Sequence, residues 1–360
     1  MVEWSNQSRY NSFNSYKGLA YYEFYKSLVL WMDGKGELPP PVEVNLDPIA
    51  ACNLRCYFCN SQRYLKVGET RELPIGYILE LVGFLAQWGV KGLCISGGGD
   101  PSLHPRIHEA VLLAQRRGLQ ISFVTNCVHL PLDLLNALMA CRWVGVSVNA
   151  ATRETYHTIM GRDYFDKAVN NLKSLVEMKH ETGSRVDIGC NMLILPENVG
   201  EIYQTCRLAK KIGAQDFHLR PADLERKDYQ GKLSSFDIAD IEKQFALCHE
   251  ETTEDFRVFT TTHKFAPDLR VMHQFKQCLA SPLILPILSD GNAYLCVDHK
   301  MEQRFRLGSG QDILKWWGSD KHRQLIKGVN VEECSRCTLG EYNRQIEDAV
   351  ILDGMCLAFP

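Results

Sequence analysis

The chain has 360 residues, of which 45% are hydrophobic and 23% charged, with a formal net charge of -3. This length is enough for about two domains with buried cores, and the near-neutral charge lacks the basic face that nucleic acids need. No apolar run reaches the roughly 18 residues that cross a bilayer, and the first residues form no signal sequence. We therefore expect a cytoplasmic protein without nucleic-acid or membrane partners.

The hydrophobic pattern predicts an N-terminal helix over Tyr16–Trp31, followed by a stiff linker at Pro39, Pro40 and Pro41. Strands then alternate with helices of ten or more residues, which predicts right-handed βαβ units and a parallel sheet. The predicted strands are Val42–Asp47, Gly92–Ser96, Gln120–Thr125, Trp143–Asn149, Arg185–Leu193 and Asp216–Arg220. The predicted helices between them are Ile75–Trp88, Pro105–Arg117, Leu132–Ala140, Asp163–Glu181 and Val199–Ile212.

About six βα units predict an α/β fold, a partial (β/α)6 barrel of the TIM type, because a closed barrel of this kind needs eight. The expected organisation is an N-terminal helical extension over 1–41, the partial barrel over 42–220, a connecting region over 221–277 and a small cysteine-rich domain over 278–360. In such sheets the chemistry lies at the C-terminal ends of the strands. Three groups of notable residues follow the first three predicted strands.

The chain contains 14 cysteines, which in a reducing cytoplasm are metal ligands or free thiols more often than disulfides. Cys52, Cys56 and Cys59 form a C-x3-C-x2-C run after the first strand, and random placement would give such a run only about 0.02 times. Three thiolates on one loop can hold three corners of a 4Fe–4S cluster and leave the fourth iron open to another ligand. Structural zinc requires four protein ligands, and this loop offers no fourth Cys or His.

The cysteine loop, with Phe58 just before its last cysteine, resembles that of the radical S-adenosylmethionine (SAM) superfamily. The resemblance implies a 4Fe–4S cluster whose open iron chelates SAM, and reductive cleavage of SAM to a 5'-deoxyadenosyl radical. Gly97, Gly98, Gly99 and Asp100 resemble the family's GGE motif, which contacts the SAM amino group, with Asp in place of the usual Glu. Further SAM contacts are expected at strand ends, where polar residues can also be simple caps: Asn126, Ser147 and Asn149.

The C-terminal cysteines are expected to hold a second cluster. The pattern C-x9-15-G-x4-C followed by CxxC resembles the SPASM and twitch domains of radical SAM enzymes, and its spacing is similar to that of 2-deoxy-scyllo-inosamine dehydrogenase-like enzymes. A full SPASM domain has further cysteines where this chain has Asn343 and Glu347, so one auxiliary 4Fe–4S cluster is expected. A structural zinc site remains an alternative, and Cys356 is either a spare ligand or a plain thiol. The expected auxiliary ligands are Cys278, Cys296, Cys334 and Cys337.

The remaining cysteines are expected to be small buried hydrophobes without a chemical role. One further thiol, Cys127, follows the third strand and is a candidate hydrogen-atom donor or a packing residue. His218 and Arg220, which close the sixth strand, are candidates for binding a polar substrate. The cysteines with no assigned role are Cys94, Cys141, Cys190, Cys206 and Cys248.

An auxiliary cluster fully ligated by cysteine cannot bind substrate, so its expected task is to accept an electron. The sequence therefore favours dehydrogenation of a carbinol C–H in a sugar, aminocyclitol or nucleotide sugar, with a flavodoxin or ferredoxin as electron donor. Three alternatives stay open: a radical epimerase that uses Cys127, a ribosomal-peptide maturase, and a non-catalytic redox or zinc module. The roughly 40 residues before the first strand are few for a leader-peptide recognition domain, which disfavours the maturase.

Overall fold

A computed structural model of the chain describes residues 15–61, 65, 71–222, 236–260, 273–334 and 336–351. Its centre is one ten-stranded sheet. The strands are β1 (Glu43–Leu46), β2 (Gly92–Ile95), β3 (Gln120–Thr125), β4 (Trp143–Ser147), β5 (Asp187–Ile194), β6 (Asp216–Pro221), β7 (Arg257–Thr260), β8 (Ile284–Ile287), β9 (Asn292–Tyr294) and β10 (Arg306–Ser309).

The strand order is β10-β9-β8-β1-β2-β3-β4-β5-β6-β7. Strands β1 to β8 run parallel, while β9 and β10 are antiparallel additions beyond β8. The six predicted strands are all present and the partial barrel is confirmed. The structure adds β7 and β8, one at each flank, and within the described ranges these two strands do not pair with each other.

Eleven α-helices are seen in the described part of the chain, and those between β1 and β6 pack on the outside of the sheet. The five helices predicted there are present, with ends shifted by a few residues at most. The sequence analysis missed α5, which begins after Thr152, and α8, which together with β7 lies in the stretch expected to be a connection. The helices are α1 (Tyr22–Met32, after a 3-10 turn), α2 (Ile75–Trp88), α3 (Ile107–Arg116), α4 (Leu132–Leu138), α5 (Arg153–Met160), α6 (Phe165–Thr182), α7 (Ile202–Ile212), α8 (Ile238–Glu250), α9 (Ile313–Trp316), α10 (Asp320–Lys327) and α11 (Gly340–Ala349).

Each strand presents one face to the helices and the other to the inside of the partial barrel, because side chains alternate along a strand. Leu93 and Ile95 of β2 are at most 1% exposed and belong to the main hydrophobic core, whereas Cys94 between them is partly exposed. We call the inner space the lumen. Its partly exposed lining residues include Asn45, Cys94, Ser122, Ser147, Asn191, His218 and Arg220.

None of the described helices has the length and apolar character needed to cross a membrane.

Candidate functional site

The loop after β1 brings Cys52, Cys56 and Cys59 together. Burial raises the pKa of the Cys52 thiol to about 11, and the neighbouring thiols add to the rise. Burial raises the pKa of Cys56 still further, again with contributions from Cys59 and Cys52. Adjacent thiols such as Cys52 and Cys56 that resist ionisation suit a cationic partner, because iron binds the thiolate form and offsets the repulsion between the charges.

Within the described ranges, no three His, Cys, Asp or Glu side chains are grouped tightly enough to hold one metal ion directly. In a cubane cluster each thiolate binds a different iron, so the thiols stand further apart than the ligands of one ion.

A small second core holds the cysteine loop in place. Backbone N–H of Arg55 donates to the carbonyl of Met160 at 3.0 Å, so the loop is tied to the end of α5. A Cβ on Gly161 would lie 2.7 Å from the Arg55 carbonyl oxygen, which explains the glycine that ends this helix. Phe58 packs against the same core, and its ring meets Tyr57 edge-on at 5.7 Å.

The glycine loop after β2 lies directly against the start of the cysteine loop. A Cβ on Gly97 would come within 2.2 Å of Asp47 Oδ1, and one on Gly99 within 2.2 Å of the Ala51 carbonyl oxygen. The backbone N–H of Gly98 donates to the Asp47 carboxylate. The two loops can therefore approach only because side chains are absent here.

Asp100 fastens the loops that follow β2 and β3. Its carboxylate is 4% exposed and accepts from Ser102 N at 3.0 Å, Thr125 Oγ1 at 2.9 Å and Asn126 N at 2.6 Å. The carboxylate therefore serves as the acceptor that holds these two loops together. A direct contact with SAM stays a prediction.

Asn126 reaches the first cysteine of the loop. Its amide Nδ2 lies 3.7 Å from Cys52 Sγ and donates to Asn53 Oδ1 at 2.7 Å, while its Oδ1 accepts from Val128 N at 2.9 Å. The residue thus carries a donor to a prospective iron ligand. Asn53 was missed by the sequence analysis, because nothing in the CxxxCxxC spacing marks it.

Ser147 and Asn149 take different positions after β4. Ser147 is partly exposed on the lumen face. Asn149 is 3% exposed with φ 63, and its Oδ1 accepts from Leu193 N at 2.8 Å. A left-handed backbone of this kind suits Asn better than most residues. Both remain predicted SAM contacts.

The four C-terminal cysteines lie in one electrostatic neighbourhood. Burial raises the pKa of Cys278 to about 11, with Cys334 adding to the rise. Burial also raises the pKa of Cys296, and the charges of Asp298, Cys278 and Cys337 act in the same direction. As in the first loop, neighbouring thiols that oppose ionisation fit a cationic iron group.

Asn343 and Glu347, on α11, hold the segment around Cys278. Asn343 Oδ1 accepts from the two backbone amides that follow Cys278, at 2.7 and 2.6 Å. Glu347 accepts from the two amides that precede it, at 2.8 and 2.6 Å. Asn343 Nδ2 also lies 3.7 Å from Cys337 Sγ. The two residues at which further cysteines had been looked for therefore position a single cysteine by hydrogen bonds.

The radical SAM superfamily model matches residues 46–209. This stretch runs from the end of β1 through most of α7 and includes the cysteine and glycine loops. Residues 46–209 form a radical SAM domain. The resemblance predicted from the cysteine loop is confirmed over this stretch, and the cofactors that it implies are a 4Fe–4S cluster and SAM.

Curated proteins similar to this radical SAM chain match over about half of it. Probable GTP 3',8-cyclase of Saccharolobus solfataricus is 26% identical over 172 residues, which cover 47% of this chain and 53% of that protein. Mycofactocin maturase MftC of Mycobacterium tuberculosis is 27% identical over 179 residues, 49% of this chain and 44% of that protein. The chain thus spans about half the length of the curated relatives it matches.

Solved structures share the fold over a longer stretch. Streptococcus suis SuiB bound to S-adenosylmethionine has a TM-score of 0.64 at 18% identity, covering 85% of this chain and 72% of SuiB. Native anSMEcpe with bound AdoMet has a TM-score of 0.59 at 18% identity, covering 84% of this chain and 88% of that one. The shared architecture extends well beyond the radical SAM domain.

Cys127, the candidate hydrogen-atom donor, is fully buried in the main core. Its φ is 60, and its backbone N–H donates to Thr125 Oγ1 at 2.9 Å. Burial raises the pKa of this thiol far above its usual range. The donor role stays a prediction, although a position at the core suits a packing residue better.

Cys94 is the thiol that the sequence analysis assigned no role, yet it belongs to the lumen of the radical SAM domain. Hydrogen bonds to Ser122 and Ser96 and the charge of Lys300 lower its pKa, but burial dominates and raises it to about 11. The signal was present in the alternation of Leu93, Cys94 and Ile95, which places the cysteine on the opposite face. The other four unassigned cysteines are buried as expected: Cys141, Cys190, Cys206 and Cys248.

Lys300 connects the C-terminal cysteine region with the lumen. It follows Cys296 by four residues, and its Nζ lies 3.4 Å from Asn45 Oδ1 and 3.9 Å from Asp47 Oδ2. Its side chain is 15% exposed. Sequence reasoning missed this residue, because a lysine in a turn is ordinarily solvated. The contact places the segment after Cys296 against β1.

His218 lies in a layer of packed side chains across the lumen. Its Nε2 lies 3.1 Å from Asp216 Oδ1, and its ring contacts Trp143 at 5.4 Å and Phe259 at 4.7 Å between centroids. Asp216, 2% exposed, also pairs with Arg257 at 3.5 Å. Arg220 stands two residues further along β6, towards the end where the chemistry of such sheets lies.

Cys356, expected to be either a spare ligand or a plain thiol, lies outside the described residues.

Proposed function

We propose that this radical SAM enzyme oxidises a carbinol carbon of a small polar substrate, such as a sugar, aminocyclitol or nucleotide sugar, to a ketone. SAM at the cluster supplies the 5'-deoxyadenosyl radical, which takes the hydrogen atom from the carbinol carbon. The hydroxyl proton and one electron must then leave the substrate for the carbonyl to form. The lumen, lined by hydroxyl, amide, imidazole and guanidinium groups, suits such a substrate.

In this proposal the cysteine and glycine loops form the cofactor site. Cys52, Cys56 and Cys59 hold the SAM-binding cluster, and Asn126 donates to the thiolate of Cys52. The glycine loop, fastened by Asp100, leaves open backbone for SAM to approach. Further predicted SAM contacts are Phe58, Gly97, Gly98, Gly99, Ser147 and Asn149.

The auxiliary site is proposed to receive the electron, and the contact of Lys300 with Asn45 carries this part of the argument. Cys278, Cys296, Cys334 and Cys337 hold one 4Fe–4S cluster in this proposal. Four residues span at most about 14 Å of extended chain, so Cys296 lies near the lumen lining. Such closeness favours electron transfer between substrate and cluster.

A flavodoxin or ferredoxin is the proposed electron donor for SAM cleavage, with the enzyme working in the cytoplasm. A reducing compartment keeps cysteines free as ligands. The zinc-site alternative predicts a different metal content, so metal analysis distinguishes the two.

Metal content and SAM cleavage test the assignment of the two cysteine sets. Anaerobically reconstituted protein is expected to hold about eight irons, four from each site by ligand count. A variant with Cys52, Cys56 and Cys59 changed to Ala should keep about half the iron and form no 5'-deoxyadenosine. Changing Cys334 and Cys337 to Ala should spare SAM cleavage but abolish ketone formation. Stoichiometric zinc with little iron would contradict the proposal.

Peptide modification is a second candidate function, favoured by the similarity to mycofactocin maturase MftC and by the shared fold with SuiB, also solved bound to its precursor peptide SuiA. The two candidates differ in substrate size. Incubation with sugars, aminocyclitols and nucleotide sugars should give, from one of these classes, a product two mass units lighter under the first proposal. Turnover of a peptide encoded beside the gene, with none of the small polyols, would establish the second.

A further inference from the structure

Asn191 and Arg220, on neighbouring strands of the lumen, carry polar groups that have no hydrogen-bond partner among the described residues. Asn191 Oδ1 is buried and accepts no hydrogen bond from the described residues. Among the described residues, no hydrogen-bond acceptor and no carboxylate oxygen within 4.0 Å is found for the guanidinium of Arg220. Buried polar groups are normally paired, so unused capacity inside an enzyme lumen points to a ligand.

The sheet register places the two side chains side by side. Asn191 of β5 pairs with His218 of β6, and Leu193 pairs with Arg220. Both lie on the lumen face of their strands. Strand spacing and rise then separate their Cα atoms by about 8 Å. A long guanidinium and a short amide at that separation can contact two neighbouring groups of one ligand.

Arg220 lies near the ion pair between Arg336 and Asp298. Its neighbours are Arg336, whose charge opposes it, and Asp298. Asp298 already accepts from Arg336 Nε at 2.7 Å and from Thr338 N at 2.7 Å. Asp298 therefore serves another guanidinium, and a buried charge such as that of Arg220 is costly unless an opposite charge completes it.

We propose that Arg220 binds an anionic oxygen group, a phosphate or a carboxylate, carried by the substrate of the proposed reaction. The planar guanidinium can donate two parallel hydrogen bonds to such a group. Asn191 Oδ1 accepts from a hydroxyl beside it. The inference deepens the proposed function, on which it rests: the substrate is an acidic or phosphorylated polyol, as a nucleotide sugar is, and not a neutral or cationic one.

Equilibrium dialysis of the reconstituted, SAM-bound protein with radiolabelled inorganic phosphate and acetate tests the subsite, with mannitol as the neutral probe. Wild type should bind one anion per chain, and Arg220→Gln should weaken that binding at least tenfold. Arg220→Lys keeps the positive charge but loses the planar pair of donors. Its affinity for the anion should therefore fall between those of wild type and Arg220→Gln. Asn191→Ala, which removes only the acceptor for a substrate hydroxyl, should leave anion binding within about twofold.

The matched control is Arg117→Gln, on the exposed end of α3, which should leave binding unchanged. The tighter of the two anions identifies the group.

Two results would overturn the subsite. One is anion binding that is absent in wild type or equal in wild type and Arg220→Gln. The other is an Arg220→Gln protein whose auxiliary reduction potential shifts while its phosphate affinity stays, because Arg220 would then serve the cluster. If Arg220→Gln fails to fold by circular dichroism, Arg220→Lys decides alone. Formation of 5'-deoxyadenosine by wild type, measured alongside, separates a failure of the subsite from a failure of the proposed function.

Discussion

Arg336 Nε donates to Asp298 Oδ1 at 2.7 Å, and this ion pair joins the chain segment of Cys296 to that of Cys334 and Cys337. Asp298 is 2% exposed and Arg336 21%. The backbone N–H of Asp298 also lies 3.3 Å from Cys296 Sγ. The carboxylate therefore holds together two segments that are far apart in sequence and must meet at one iron site.

Asp298→Asn keeps the shape of this residue and removes its charge. We expect the variant to lose most of the C-terminal iron after reconstitution, falling from about eight irons towards four, because the charge-assisted hydrogen bonds that join the two cysteine-bearing segments are weakened. SAM cleavage should persist. Iron analysis and 5'-deoxyadenosine formation measure the two effects.

Asp320→Asn is the matched control, since it removes a carboxylate from an ion pair in which Asp320 is 84% exposed. An exposed pair contributes about 1 kcal/mol at most. Full iron content in Asp298→Asn, equal to that of the control, would show that the carboxylate does not organise the site.

Gly99→Ala tests the packing of the glycine loop against the cysteine loop. The new Cβ would lie 2.2 Å from the Ala51 carbonyl oxygen and 2.5 Å from that of Ile49. Backbone on both sides must move, so the variant should lose SAM cleavage and the iron of the first site while keeping the C-terminal iron. Gly83→Ala, on α2 with no atom within 4 Å of its Cβ, should instead gain about 0.5–1 kcal/mol of stability. Equal SAM cleavage by both variants would contradict the close approach.

Much of this architecture could be predicted from the sequence, because the alternation of apolar and polar residues marks the strands and the length of each helical pattern marks the helices. The β3 strand and α2 match their predicted bounds residue for residue. The joining of β8 to β1 was not predictable, because Ile284–Ile287 is a short apolar run whose partner is remote in sequence. Contacts such as Lys300 with Asn45 also depend on that joining.

The role of Asn343 shows the same limit. Sequence spacing marked it only as a missing cysteine, whereas folding places its Oδ1 within 2.7 Å of the amide that follows Cys278. Asn343→Ala removes an acceptor from two buried amides. We expect loss of C-terminal iron and a lower melting temperature, since each unpaired buried amide costs about 1–3 kcal/mol. Asn343→Asp, which keeps the acceptor, should restore part of both. Iron content and a melting temperature no higher than those of Asn343→Ala would show that these hydrogen bonds do not position Cys278.

His322 predicts how stability depends on pH. Its side chain is 1% exposed among Trp31, Trp316 and Trp317, and burial lowers its pKa to about 3. The unfolded chain titrates near 6.5, so below that pH it binds a proton that the folded protein does not. The contribution of His322 to the free energy of unfolding should therefore be constant above about pH 6.5. Below that pH it should fall by up to about 1.4 kcal/mol per pH unit.

Urea unfolding at pH 7.5, 6.0 and 5.0 measures that slope. Replacing His322 by Phe should reduce the slope of the free energy of unfolding against pH by up to the contribution of one proton, about 1.4 kcal/mol per pH unit. His157→Gln, at an exposed position on α5, should leave it unchanged. Parallel curves for wild type and His322→Phe would mean that the buried ring does take up a proton.

Turnover in heavy water separates dehydrogenation from epimerisation. An epimerase must return a hydrogen atom to the substrate radical, and a thiol hydrogen exchanges with solvent, so the product would carry one deuterium. A dehydrogenase returns none, and its product is two mass units lighter. We expect the lighter product without deuterium, made equally by wild type and Cys127→Ala once protein stability is matched, because Cys127 is fully buried in the core. Cys94→Ala provides the comparison, since Cys94 lines the lumen. Deuterium in an isomeric product, lost in Cys94→Ala but kept in Cys127→Ala, would show that the enzyme is an epimerase and that Cys94, on β2, is the hydrogen-atom donor. The reverse pattern would restore Cys127 as the donor and require the core around it to open during turnover.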